Sequence, residues 1–494
     1  MNIQPRRIPR SIPKQSQARI FTAAVIAIFV ANHFADIGQS AHAACPPDLN
    51  GDNIVDGVDL ASMLSNWGGP GGDITGDGIT DGSDLASVLS GWGPCPAPAP
   101  EWLLVTSTNT TTTTAYDSAG LVAKTWVGAA GGASVAYLRG DGSLVRPTIY
   151  SAGIYNGAAR GGRIQVFNAA GAIVNDLIVS NAEYGQHHDI RLMPNGNILC
   201  IVWEGHTQAE GTAMGRVNLT SAMWSESIIE IQPTGYSTYN IVWRWNLWNH
   251  LVQHTNAAFP NYAVVSTKPE LVNINAGSVG AQGTGDWIHM NSIDYNPDLD
   301  QIVVSSRTLS ELWVIDHSTT TAEAATHTGG ARGRGGDILF RWGNPANYDR
   351  GTTANQIFFV VHSATWIDTG LPGAGNIMAF CNGDRAGTAN DYSTVMEIIP
   401  PRDSSGNYLI DPTLAFGPSS PTWAYGSPNQ IYGGAVQCGA FRTLDNTTLI
   451  TLTNSGRIFE VNTSGSVVWN RDNVATNIPR APRYRQVNGL WVGP

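Results

Sequence analysis

The sequence predicts a mostly-β chain: a six-bladed β-propeller preceded by a small module in which two oxygen-rich loops are each followed by a helix. Three observations carry that expectation. Of 494 residues, 55 are Gly, 16 Trp and 15 Tyr, and only 13% are charged, which suits short strands joined by tight turns. A hairpin plan recurs along residues 101–494: a polar or His start, an apolar strand, a turn and a second apolar strand. A repeat at an offset of 25 residues occupies 48–92. The net charge of −11 argues against nucleic acid as a partner.

Residues 1–44 read as an export signal. Arg6, Arg7, Arg10, Lys14 and Arg19 form a basic lead, Ile20 to Ala31 is an apolar run too short to span a bilayer, and Ala41-His42-Ala43 is an A-x-A cleavage pattern. Cleavage removes those five basic residues and Asp36, leaving a charge of about −15. A lipid anchor on Cys45 and an uncleaved signal anchor are the alternatives. No later segment is apolar and long enough to span a membrane, so a secreted, periplasmic or cell-surface protein is expected. Cys45 and Cys95 bracket residues 45–95 and can clamp their ends in an oxidising compartment. Cys200, Cys381 and Cys438 sit in apolar strand-like runs and are expected as buried free thiols.

The module at 45–95 holds eight Asp and no Lys or Arg. DLNGDNIVDGVDLASMLSNWG, from Asp48, recurs as DITGDGITDGSDLASVLSGWG, from Asp73. Loop positions 1, 3, 5, 9 and 12 are Asp48, Asn50, Asp52, Asp56 and Asp59 in the first copy. They are Asp73, Thr75, Asp77, Asp81 and Asp84 in the second. Oxygen donors at this EF-hand-type spacing suit Ca²⁺, a hard cation taking 6–8 oxygens. Position 7, Ile54 or Ile79, offers a backbone carbonyl. Asn53 replaces the usual turn Gly and tolerates a positive φ. Without a cation the carboxylates repel, so Ca²⁺ is expected to control folding of the module. With Asp at position 12 and one helix after each loop, the module resembles a dockerin. That resemblance implies a cohesin-like receptor as partner.

Pro96 to Pro100 alternates Pro and Ala, an extended spacer. Residues 101–494 then fit six large blades of about 60 residues each, with a long insertion around 205–285. Thr110 to Thr114 reads as a solvated strand. Within Asp286 to Arg307, Ile293 and the Ile302–Val304 run flank a polar turn. His289 and Asn291, two apart, are expected on one face of a strand, with Arg307 brought back beside them by the hairpin. His188, His289 and His362 each begin such a hairpin. Inner strands of a propeller line its channel, so these residues are expected to converge at one mouth. One guanidinium, one amide and several imidazoles form an anion-handling set.

These segments, HHD…PNGN (187–197), DWIHMNS…IVVSSR (286–307), RWGNP (341–345) and H-x-x-x-W-I with GAGNI and NG (362–383), resemble the bacterial arylsulfate sulfotransferase family. The resemblance spans 180–385 and, more weakly, the C-terminal GRIFEV and RYR stretches. It implies a six-bladed propeller that moves a sulfuryl group from a phenolic sulfate ester to a phenol, without a nucleotide donor, through a sulfohistidine. His362 corresponds to the nucleophile, and His289, Asn291, Arg307 and His188 to the residues holding the sulfate. No metal is required there. One departure is the absence of Cys from 351–361, where some members carry a disulfide cysteine. Two other readings remain: a lyase-like carbohydrate-active propeller on an acidic polysaccharide, favoured by the dockerin-like module, and a non-catalytic surface-binding propeller. Release of unsaturated oligosaccharide would mark the first, and sulfate binding without turnover the second.

Overall fold

The computed structural model describes residues 45–95, 99–280, 284–383, 392–427, 430–431 and 436–494. The expected export signal and residues 96–98 of the Pro/Ala spacer lie outside them.

Six antiparallel sheets form the six blades of a propeller. Blade 2 runs Tyr137–Leu138, Leu144–Ile149, Gly162–Phe167 and Ile173–Ile178 from the inside out. Blade 3 is Tyr184–Leu192, Ile198–His206, Met223–Pro233 and Tyr239–Asn246. Blade 4 is Met290–Asn296, Gln301–Ser306, Glu311–Asp316 and Phe340–Trp342. Blade 5 is Val361–Trp366, Ile377–Cys381, Thr394–Ile398 and Trp423–Tyr425. Blade 6 is Gly439–Arg442, Thr448–Leu452, Arg457–Val461 and Val467–Arg471. Blade 1 joins distant parts of the chain: Glu101–Thr106, Thr112–Tyr116 and Val122–Val127 are completed by Arg483–Val487, which pairs Tyr484 with Trp102.

Packing explains the strand sequences. A middle strand lies between two neighbouring blades, so both its faces are apolar: Ile198 to Trp203 are all buried. The outermost strand of blade 3 has one wet face and alternates, with Trp243 and Trp245 buried and Arg244 partly exposed. Each blade interface has its own apolar cluster. Ile201, Trp245, Ile293 and Trp313 fill the one between blades 3 and 4, and Val303, Phe340, Ala364 and Ile377 the one between blades 4 and 5. Each fully buried Ile, Val or Phe among them contributes about 1.5–3 kcal/mol. Asp189 adds a polar tie at the centre. Its oxygens accept from the Tyr137 hydroxyl of blade 2 (3.0 Å), the Ile293 amide of blade 4 (3.2 Å) and Arg480, just before the closing strand.

Three local expectations change. The insertion at 205–285 contains two strands of blade 3, and the stretch outside the blades contracts to 247–289. His289 does not follow simple alternation with Asn291: it has φ 54° and precedes a bulge between Met290 and Ser292. The Thr tract falls partly within a middle strand of blade 1, where Thr113 is buried.

In residues 45–95, α1 (Gly57–Ser65) and α2 (Gly82–Ser90) follow the two loops and begin at capping boxes, Asp56 with Asp59 and Asp81 with Asp84. The loops share one backbone: Asp48 accepts from the amides of Gly51 and Asn53, and Asp73 from those of Gly76 and Gly78. Asn53 has φ 68°. A Cys45–Cys95 disulfide (Cα–Cα 5.7 Å) joins the ends, and Val55, Met63 and Val88 form a small core. Cys200, Cys381 and Cys438 are buried, and Cys200 and Cys438 are free thiols. Among the described residues no helix is long and apolar enough to cross a membrane.

Candidate active site

The inner strands of blades 3, 4 and 5 each carry a kink in or just before them. His188, His289 and Ser363 have φ of 49°, 54° and 56°; His188 and Ser363 lie within breaks in pairing with the second strand of their blades, and His289 immediately precedes one. Left-handed non-glycine residues cost of order 1 kcal/mol each and persist only where the surroundings fix them. The effect here is to turn imidazoles out of the strand alternation and into the channel mouth.

His188 and His289 meet edge to face, ring centroids 4.5 Å apart. Arg307 follows the second strand of blade 4, and its amide donates to the His289 carbonyl at 3.1 Å. Its half-buried guanidinium has no hydrogen-bonding or carboxylate partner among the described residues. The Arg307 charge helps hold down the pKa of both His188 and His362, which places the guanidinium within electrostatic reach of both rings. Asn291 donates to the Val361 carbonyl (2.8 Å) and accepts from Ser305. One of its N–H groups remains for a ligand.

Each imidazole is oriented from behind. Asn382 Oδ1 accepts from His362 Nδ1, while its Nδ2 donates to the Gln437 carbonyl at 3.0 Å. His362 Nε2 is thereby left as a lone pair. Burial first, then the charges of His289, Arg307 and Arg480, push the His362 pKa down to about 3 despite the Asn382 bond. Burial and the neighbouring His289 likewise lower His188 well below the ordinary range. Asp286 accepts from His289 Nδ1 and from Trp203 Nε1 (3.2 Å). Burial raises the Asp286 carboxyl, but its bond to His289 outweighs that and holds it below its ordinary value.

A longer relay backs His188. His187 Nδ1 lies 2.8 Å from His188 Nδ1, and His187 Nε2 lies 2.8 Å from Glu226. The His187 ring stacks on Trp203 at 3.9 Å. Burial pushes His187 down to about 3 and Glu226 well up, so the pair is uncharged. The Glu226 hydroxyl then donates to His187, His187 donates to His188 Nδ1, and His188 keeps its proton on Nε2. The site therefore holds an imidazole lone pair on His362, an N–H donor on His188 and a guanidinium. A cavity of about 450 Å³ lies alongside, lined by Ala159 and Gln437, whose carbonyls accept from His188 and Asn382.

The structure thus brings His188, His289, Arg307 and His362 together, with Asn291 against the His362 strand. The supporting residues His187, Asp189, Asp286 and Asn382 stand inside or beside the motifs that single out their neighbours. Glu226 and Arg480 belong to no such motif, and only the folded chain reveals them. The ten module residues sit elsewhere. Among the described residues, His, Cys, Asp and Glu ligand atoms gather in threes at one place only, outside both loops. Asp48, Asp52, Asp59 and their counterparts instead accept from loop amides. The donor set, all oxygen with two loops in register, fits a hard cation.

No curated protein matches the chain. Solved structures of similar shape include a protein of unknown function from Bacteroides caccae (11% identity, 78% of this chain and 98% of that one, TM-score 0.41). They include the periplasmic gluconolactonase of Pseudomonas aeruginosa (9%, 80% and 95%, 0.38) and a streptogramin B lyase (9%, 79% and 96%, 0.36). Likenesses this distant decide nothing about the site. The sequence model described as Arylsulfotransferase (ASST) matches residues 153–411, more than half of the chain and all of blades 3 and 4. The chain belongs to the arylsulfotransferase family, whose members are sulfuryl-transfer enzymes.

Proposed function

We propose that the protein moves a sulfuryl group from an aryl sulfate to a phenolic acceptor through a sulfohistidine on His362. The observation that carries this reading is the unpaired Arg307 guanidinium beside three imidazoles delivered by three blades. The His362 Nε2 lone pair attacks sulfur, an N–S bond forms, the S–O bond to the aryl group breaks, and phenolate leaves. Arg307 and the N–H groups of His188 and Asn291 take the sulfuryl oxygens, whose charge is spread over three atoms. His289, held by Asp286, faces the same anion and serves as proton donor to the phenolate. In the second half-reaction the acceptor phenol loses its proton to that group and attacks the N-linked sulfur, restoring free His362.

The same reading makes residues 45–95 a dockerin-like module. Asp48, Asn50, Asp52, Asp56 and Asp59 hold one Ca²⁺, and Asp73, Thr75, Asp77, Asp81 and Asp84 a second. The module tethers an exported enzyme to a cohesin-like partner.

Donor-only incubation tests the transfer chemistry. One sulfuryl group should appear on the peptide containing His362, with one equivalent of phenol released, and His362→Ala should abolish both. Transfer by that variant at the wild-type rate sinks the mechanism.

A further inference from the structure

Away from the channel, His250, His327 and Asp337 meet on the propeller's outer side. His250 follows the 3-10 turn Leu247–Asn249, just beyond the last strand of blade 3. His327 and Asp337 lie in the loop between Glu311–Asp316 and Phe340–Trp342 of blade 4. The ligand atoms of the three side chains all lie within 4.8 Å of one another. Nδ1 of His250 is 2.9 Å, and Nδ1 of His327 2.7 Å, from the same oxygen, Asp337 Oδ1.

The hydrogen bonds around His250 show what the cluster needs. Its Nε2 lies 2.9 Å from the Ala324 carbonyl, which can only accept. Nε2 therefore carries the proton, and a neutral ring turns the Nδ1 lone pair onto a carboxylate oxygen. Two lone pairs at that separation require a cation between them. A carbonyl gripping the far N–H is also the usual support of a metal-binding histidine. The ring cannot swing away: it is fully buried and parallel to Trp245 (3°, centroids 5.6 Å), whose Nε1 donates to Gly336 at 2.6 Å. His327, by contrast, is 58% exposed.

We propose that His250, His327 and Asp337 bind a divalent metal ion of the zinc class, with a further coordination position open to solvent. Two imidazoles and one carboxylate suit zinc and its neighbours rather than Ca²⁺ or Mg²⁺, which prefer oxygen alone. Bonds of about 2.0–2.2 Å to three such donors are reached by widening the trio by less than about 1 Å. The open position faces a cavity of about 540 Å³ that His327 and Asp337 line with Lys268, Glu270 and Arg334. Water or an anion paired with those cations completes the coordination there. The bound ion staples the 247–289 stretch to blade 4.

The test uses the full chain, stripped with EDTA and returned to excess Ca²⁺ so that the N-terminal loops do not compete. Titration with Zn²⁺ should show one site per chain, and Co²⁺ should develop the visible bands of a nitrogen- and oxygen-ligated ion. His327→Ala should keep the wild-type circular dichroism and bind Zn²⁺ at least about 100-fold more weakly. Diethyl pyrocarbonate should modify His327 in the stripped wild-type protein, and Zn²⁺ should block that labelling. Failure of the wild type to bind one Zn²⁺, affinity unchanged in His327→Ala, or labelling indifferent to Zn²⁺ overturns the proposal. Any of these leaves the three side chains as a hydrogen-bonded cluster without an ion.

Discussion

Replacing Asn382 by aspartate should convert His362, the proposed nucleophile, from a pH-indifferent group into a titrating one. In the wild type Asn382 accepts from His362 Nδ1 without contributing charge, and the imidazole, with a pKa near 3, is neutral at every physiological pH. A carboxylate in that place puts a full negative charge about 4 Å from the imidazolium. At an effective dielectric of about 20 this stabilises the protonated ring by about 4 kcal/mol, or about 3 pK units. The His362 pKa should rise from about 3 to about 6. Because the folded value is raised, the protonated and inert form accumulates as pH falls through about 6. The assay is quenched-flow release of phenol from a chromogenic aryl sulfate with no acceptor present, read as the ratio of variant to wild-type burst rate. That ratio should be nearly constant above about pH 7 and fall about tenfold per unit below about pH 6. A ratio that stays flat to pH 4.5 refutes the argument, because His362 would then not be the group whose protonation limits the burst.

Three further outcomes follow from the same geometry. Glu226→Gln should keep burst rates within about threefold, since the amide can donate to His187 and accept from Met290 as the uncharged acid does. Glu226→Ala, which leaves both partners unpaired, should lose about 1–3 kcal/mol of stability in urea titrations. His317 is largely buried; burial alone would lower its pKa, but hydrogen bonds to Asp300 and Glu230 raise it to about 9. Its contribution, about 3 kcal/mol, is therefore complete below about pH 6.5 and lost as pH climbs through 9, and His317→Gln should flatten that decline. Removing Ca²⁺ with EGTA should lower a separate calorimetric transition of residues 45–95. If both loops bind, Ca²⁺ at 100 times its Kd should restore about 2.7 kcal/mol per site, about 5.4 kcal/mol in all, with the propeller transition unmoved.

What the sequence discloses follows what is local. Strands and turns of 101–494, the 25-residue repeat and the three hairpin-starting histidines can be read because each rests on neighbours within one hairpin or loop. Blade count is legible only as length divided by blade size, and the insertion is misjudged because Met223–Pro233 and Tyr239–Asn246 follow a polar helix-and-turn stretch that hides them. The His289–Asn291 alternation fails because a bulge intervenes, and bulges leave no mark in a two-residue period. Glu226 and Arg480 stay invisible for a different reason. Glu226 reaches His187 from two strands away in blade 3, and Arg480 reaches Asp189 from the far side of the ring, at separations of 39 and 291 residues.

The closure of blade 1 sets an order of events during synthesis. Glu101–Thr106 is made early, yet its inner neighbour Arg483–Val487 emerges some 380 residues later. Arg480, which pairs with Asp189 and presses on His362, arrives immediately before that strand, and Leu490–Val492 adds to the same sheet after it. A chain without its last segment can stack blades 2 to 6, but the ring stays open, and Asp189 and His362 lack the Arg480 charge until that segment zips in. Completion of the proposed site is thus coupled to closure of the circle, and a protease that clips the closing strand should silence it without touching it.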